Sequence, residues 1–136
     1  MPILKTFSRC LLGLFFIAAG INHFWHTAFY LAMMPPWLPW HAELVAFSGT
    51  AEILLGSLML LSRWQAVAGW GVIALCVAVF PANVHMALHP ELFTQFTPAG
   101  LWLRLRLQGI VIARAWAHTR RPVRTPHTNH PLKSMP

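Results

Sequence analysis

Apolar residues fill four long stretches of this chain, at about Phe7 to Phe24, Leu44 to Leu61, Gln65 to Leu88 and Ala99 to Ala117. Each is long enough to cross a bilayer core as a helix, which takes roughly 20 mostly apolar residues. Within them, small residues recur at helical spacing: Gly13, Phe16 and Gly20 in the first, Gly49, Glu52 and Gly56 in the second, and Gly71, Ala74, Ala78, Pro81 and His85 in the third. Helices in lipid associate through close contacts at small residues and through interhelical hydrogen bonds, so these stripes predict packed faces. The expected fold is all-α, a four-helix transmembrane bundle. The connection HTAFYLAMMPPWLPWH adds a short element of its own, because Pro35 and Pro36 stop any helix begun at Thr27. Tyr30, Trp37 and Trp40 suit the bilayer interface, so this segment reads as an interfacial helix followed by an extended lid.

Composition agrees with the pattern. Of 136 residues 57% are hydrophobic and 10% charged, and seven are tryptophan, far from the balance of a soluble domain. Charge then orients the chain. Lys5 and Arg9 open the first span, Arg63 sits between the second and third, and Arg114, Arg120, Arg121, Arg124 and Lys133 lie at or beyond the end of the fourth. The connections His26 to Ala42 and His89 to Pro98 hold no lysine or arginine. The positive-inside rule places both termini and the Arg63 turn in the cytoplasm. A cleaved signal peptide would break this charge pattern, so the first span is expected to remain as a helix. Residues 1–117 form one four-span domain, and 118–136 read as a basic, disordered cytoplasmic tail held near anionic membrane lipid.

The polar residues inside the spans carry the candidate chemistry. Glu52 lies in the middle of the second apolar run, where an unpaired ionisable group costs roughly 2.5 to 3.5 kcal/mol. On counting from the outer ends, Arg104 falls roughly 9 Å deep and Glu52 and Gln108 roughly 15 Å. Asn22, His23, Asn83 and His85 lie near the outer ends of the first and third helices. Arg104 and Gln108, four residues apart, share a helix face. The expectation is a polar pocket of His23, Glu52, Asn83, Arg104 and Gln108 in the outer half of the bundle, with Glu52 and Arg104 paired directly or through water. Asn22, His85 and Arg106 are secondary candidates. Arg106 points about 200° away from Arg104, toward headgroups, an outer-loop carboxylate such as Glu43 or Glu91, or another subunit. A buried pair that only fixes helix register is the competing structural reading.

Two cysteines, Cys10 and Cys76, form no CxxC pair and read as packing residues. Eight histidines include the spaced pairs His23/His26 and His85/His89, but no cysteine or carboxylate stands where a metal would need it, so no metal site is expected. Nothing points to nucleic acid. No nucleotide-binding loop or haem-attachment motif is present, and no self-sufficient catalytic motif.

The strings AAGINHF, MMPPWLP, GTAEILLG, AVFPANVHMAL and LWLRLRLQ resemble, in order and spacing, the motifs of DoxX-like membrane proteins. The resemblance implies a four-helix bundle in a bacterial inner membrane and places the family's polar positions at His23, Glu52, Asn83, Arg104 and Gln108. Arg106 stands where the family pattern resembles a proline. For activity the resemblance implies an accessory subunit of a quinone-linked membrane oxidoreductase, docking quinone or a redox protein partner; a homo-oligomer is a separate expectation, in which Arg106 meets another subunit. A small proton-coupled transporter and a non-catalytic assembly factor are the alternatives.

Overall fold

The computed structural model describes residues 2–120. Among these the chain is entirely helical: α1 (Pro2–Trp25), α2 (Thr27–Met33), α3 (His41–Leu60), α4 (Gln65–Leu88), a 3-10 turn at Pro90–Leu92, and α5 (Pro98–Thr119). Three helices, α1, α3 and α4, are long and apolar enough to cross a membrane. Although of similar length, α5 carries Arg104, Arg106 and Arg114 and falls short of that measure. Helix α5 runs to Thr119, so the first two residues of the tail expected from residue 118 are helical. Residues 121–136 lie outside the described part.

Local chemistry accounts for the boundaries. Thr97 caps α5 by accepting a hydrogen bond from the Gly100 amide at 3.1 Å, and Pro98 occupies the first turn, where its missing N–H costs nothing. As Pro35 and Pro36 predict, α2 ends at Met33. Trp40, just before α3, adopts the left-handed conformation with φ of 56°, and His41 donates from Nε2 to the Pro35 carbonyl at 3.1 Å, tying the lid loop to the start of α3. Pro81 sits inside α4 without ending it. Its absent N–H leaves the Val77 carbonyl without its helical donor, a defect that helices in a membrane tolerate. Helix α5 runs unbroken through Arg106.

The long helices pack as two antiparallel pairs, α1 with α3 and α4 with α5, joined by a lesser contact between α3 and α4. The α1/α3 seam is made of glycine against glycine. A β-carbon on Gly20 would lie 2.5 Å from the Gly49 carbonyl oxygen, and one on Gly56 2.6 Å from that of Gly13. Both stripes expected on these helices are therefore packed faces. The stripe expected on α4 is not: Ala74 and Ala78 are exposed, and the buried side of that helix runs through Ala68, Val72, Leu75, Cys76 and Met86. Gly71 alone of that stripe's small residues packs, against Leu55.

Two apolar clusters stand one above the other. Leu12, Phe16, Met59, Ala68, Val72, Leu75, Cys76 and Ala115 join all four long helices toward the Arg63 end. Met33, Met86, Ala87, Phe93 and Leu101, with Phe29 and Tyr30 beside them, close the opposite end beneath α2. At the Arg63 end Arg9 donates to the carbonyls of Met59 (3.1 Å) and Leu60 (2.6 Å), satisfying acceptors that the end of α3 leaves open.

Candidate functional site

A cavity of about 560 Å³ lies between the two clusters. Its floor includes Phe16 and Cys76, and its roof Tyr30, Met33 and Met34 of α2 and the loop that follows. Helix α1 supplies Phe15, Ala18, Ala19, Asn22 and His23 to its walls, α3 supplies Val45, Ser48 and Glu52, and α4 and α5 supply Asn83, Arg104, Gln108 and Val111 among others. Since α1 and α5 barely touch, the cavity occupies the gap between them. Phe15, Ala18 and Leu107, all exposed as well as lining it, stand at its lateral mouth.

All five expected pocket residues line this one cavity, and Asn22 joins them. Of the expected pairing of Glu52 with Arg104, directly or through water, the direct form is absent. Arg104 makes no direct ion pair with Glu52; it donates from Nε to Asn83 Oδ1 at 3.1 Å, Asn83 Nδ2 donates to Gln108 Oε1 at 3.1 Å, and Gln108 Nε2 donates to the Cys76 carbonyl. The chain of donors fixes both amides and holds the guanidinium by one N–H. Four guanidinium N–H donors remain for a ligand.

Across the cavity Glu52 faces His23, with Oε2 3.3 Å from Nδ1. That nitrogen is nearer, at 3.0 Å, to the Ala19 carbonyl one helical turn back. A ring nitrogen carries at most one hydrogen, so with the proton directed at Ala19 the carboxylate oxygen is left buried without a hydrogen bond. The Ala19 carbonyl already accepts the His23 backbone amide within α1, so the acceptor left unserved is Glu52 Oε2. A buried acceptor without a donor costs about 1–3 kcal/mol, so the carboxyl is poised to accept a donor from a ligand or water.

Tyr30, the only tyrosine of the chain, holds His23 in place. The two rings stack with centroids 3.7 Å apart, and the Tyr30 hydroxyl accepts from Asn22 Nδ2 at 2.8 Å. Asn22 Oδ1 in turn accepts from His26 Nδ1 at 2.7 Å. Sequence reasoning assigned Tyr30 to the interfacial belt and missed this role; the available signal was a lone tyrosine seven residues after His23, on an element that must fold back over the helix end. His85 stays out of the cavity and packs its ring against His89 at 4.5 Å. His89 Nδ1 donates to Glu91 at 3.0 Å, and that hydrogen bond, together with one from the backbone amide of Glu91 itself, lowers the carboxyl's pKa from its ordinary value, the backbone bond being the larger cause. Arg106 is exposed and reaches neither Glu43 nor Glu91.

These features define a helical protein with membrane-spanning character, built around a laterally open cavity that is polar on two walls. Residues 12–119 match the sequence model of a domain of unknown function, DUF8561, and the chain belongs to that family. No curated protein and no solved structure shows significant similarity to the chain.

Proposed function

We propose that the chain is a four-span protein of a bacterial inner membrane, related to the DoxX-like proteins its motifs resemble, and that its cavity holds the headgroup of a quinone for a membrane oxidoreductase system in which it serves as an accessory subunit. The observation that carries this reading is the cavity's combination of shape and chemistry. It opens sideways between α1 and α5, the direction from which a lipid-soluble molecule would enter, and its apolar walls of Phe15, Phe16, Val79 and Val111 suit a hydrocarbon tail. Arg104 and Glu52, held on different helix pairs without touching, suit a headgroup with an oxygen at each edge: the guanidinium donates to a carbonyl oxygen, and the carboxyl exchanges a hydrogen bond with the other. Electrons would have to come from a separate redox protein.

In this arrangement α5 is the fourth span. Arg104 meets its partners inside the cavity, while Arg106 and Arg114 extend toward opposite membrane surfaces. The basic end, with Arg63, faces the cytoplasm and the α2 end faces outward. A reporter active only in the periplasm is expected to work when inserted beside Glu91 and to fail when fused after Lys133. The opposite pattern would invert the protein and put the cavity's roof on the cytoplasmic side.

Quinone is expected to remain with the protein through purification from native membrane and to be lost on Arg104→Ala, while circular dichroism and elution volume stay unchanged. Protein that never carries quinone, together with unaltered quinone-dependent respiration after deletion of the gene, would sink the reading. A second reading, a small proton-coupled transporter, gains from one observation: Glu52 Oε2 is buried without a hydrogen-bond donor and no guanidinium pairs with it, so the carboxyl is open to a donor on a substrate. A substrate-driven pH change in proteoliposomes, abolished by Glu52→Gln, would support that reading.

A further inference from the structure

A second cavity, of about 200 Å³, lies at the basic end among the start of α1, the α3–α4 turn and the end of α5. Lys5, Arg9, His118 and Arg120 line it with Thr6, Ser62 and Gln65. No carboxylate side chain is near. The three of the whole sequence are Glu43 in the first turn of α3, Glu52 in the central cavity and Glu91 in the 3-10 turn, all away from this end. Arg9 is engaged with the α3 carbonyls, and Arg120 is laid across the Trp116 ring with its guanidinium carbon 3.8 Å from the ring centre. Among the described residues, Lys5, Thr6, Ser62 and Gln65 make no side-chain hydrogen bond to protein. The same wall holds the N-terminus of α4, which no side chain caps, so its first amides add partial positive charge.

We infer that this basal cavity is a binding site for a phosphate group, and specifically for the phosphodiester of an anionic phospholipid of the adjoining leaflet. Cations gathered without a counter-charge repel one another, and an anion that accepts hydrogen bonds from several of them relieves that repulsion. Lys5 and Arg120 are the charged ligands, Thr6 and Ser62 the hydroxyl donors, and Arg9 a positioning residue that holds α3 against α1. The membrane surface supplies such a group at this height, where Lys5 lies in the first turn of α1 and Ser62 and Arg120 lie just beyond the ends of α3 and α5. The inference concerns the end of the molecule opposite α2 and does not depend on what fills the central cavity.

The test uses the full chain in a zwitterionic detergent, with phosphatidylglycerol, phosphatidylcholine or inorganic phosphate added. Phosphatidylglycerol is expected to raise the melting temperature and to be retained in native mass spectrometry where phosphatidylcholine is not. Lys5→Gln and Arg120→Gln should each weaken that binding about tenfold, the loss of one charge-assisted contact. Arg63→Gln is the control, since Arg63 lies at the same end over its neighbour Trp64 and does not line the cavity; it should leave binding intact. Equal stabilisation by inorganic phosphate would support the phosphate site but assign it to a soluble ligand instead of lipid. An equal loss in all three variants would show diffuse attraction to a basic surface, and no preference for phosphatidylglycerol or phosphate would show no site; either overturns the inference.

Discussion

The two flanks of α1 could hardly differ more. Toward α3 it meets its partner glycine to glycine, with backbones so close that a single methyl group has no room at Gly20 or Gly56. Toward α5 it makes contact mainly at the basic end, where the Ser8 hydroxyl accepts from Arg114 and lies beside His118, and above that the space is the central cavity. One flank gives a rigid two-helix unit on which His23 and Glu52 are set; the other leaves a portal. In lipid, where burying apolar area between helices gains little over contact with acyl chains, tightness comes from backbone approach. The seam therefore supplies stability and the gap supplies access. On α5 the same division is visible within one helix, since Gly69 of α4 packs on the Ala115 carbonyl while Gly109 has no atom within 4 Å of where its β-carbon would lie.

The strongest way to break this comparison is at the seam. Gly20→Ala places a methyl group against the Gly49 carbonyl and is expected to destabilise the protein by about 3 kcal/mol, the upper end of overpacking costs, read as a lowered melting temperature in detergent. A loss under 1 kcal/mol would mean the seam gives way easily, and the contrast with the gap would fail.

A smaller effect sharpens the picture of the cavity walls. In double-mutant cycles, Asn83→Ala with Arg104→Gln is expected to show coupling of about 1.5 kcal/mol, as for a hydrogen bond to a charged group, whereas Glu52→Gln with Arg104→Gln should couple by less than about 0.5 kcal/mol. A large coupling in the second cycle would bring the two walls into direct contact and close the space a headgroup needs.

The smallest effect is on the open side. Gly109→Ala meets nothing, and the gain in helix propensity should stabilise the protein by up to about 1 kcal/mol. Destabilisation at Gly109 would reveal a partner surface on that face of α5.

Much of this organisation was legible in one dimension. Length and hydropathy located the long helices and the paired prolines stopped α2, because each of these depends on a helix and its own neighbours along the chain. Residue counts also set depth, which is why His23, Glu52, Asn83, Arg104 and Gln108, drawn from four helices, were expected together in the outer half, and they line one cavity. Rotation about each helix axis was another matter. Depth placed Arg104 within reach of Glu52, yet which of Asn83, His23 or Glu52 each polar group meets depends on how the helices turn toward one another. The spacing of small residues on α4 suggested the wrong face, since in an apolar surrounding no solvent sorts inward from outward, and Ala74 and Ala78 are as content facing outward as packed. Helix identity and depth were thus determined by the sequence alone. The His23–Glu52 contact, the Tyr30 stack and the gap between α1 and α5 were decided only when the glycine seam fixed the rotation of the first pair and the second pair settled against it.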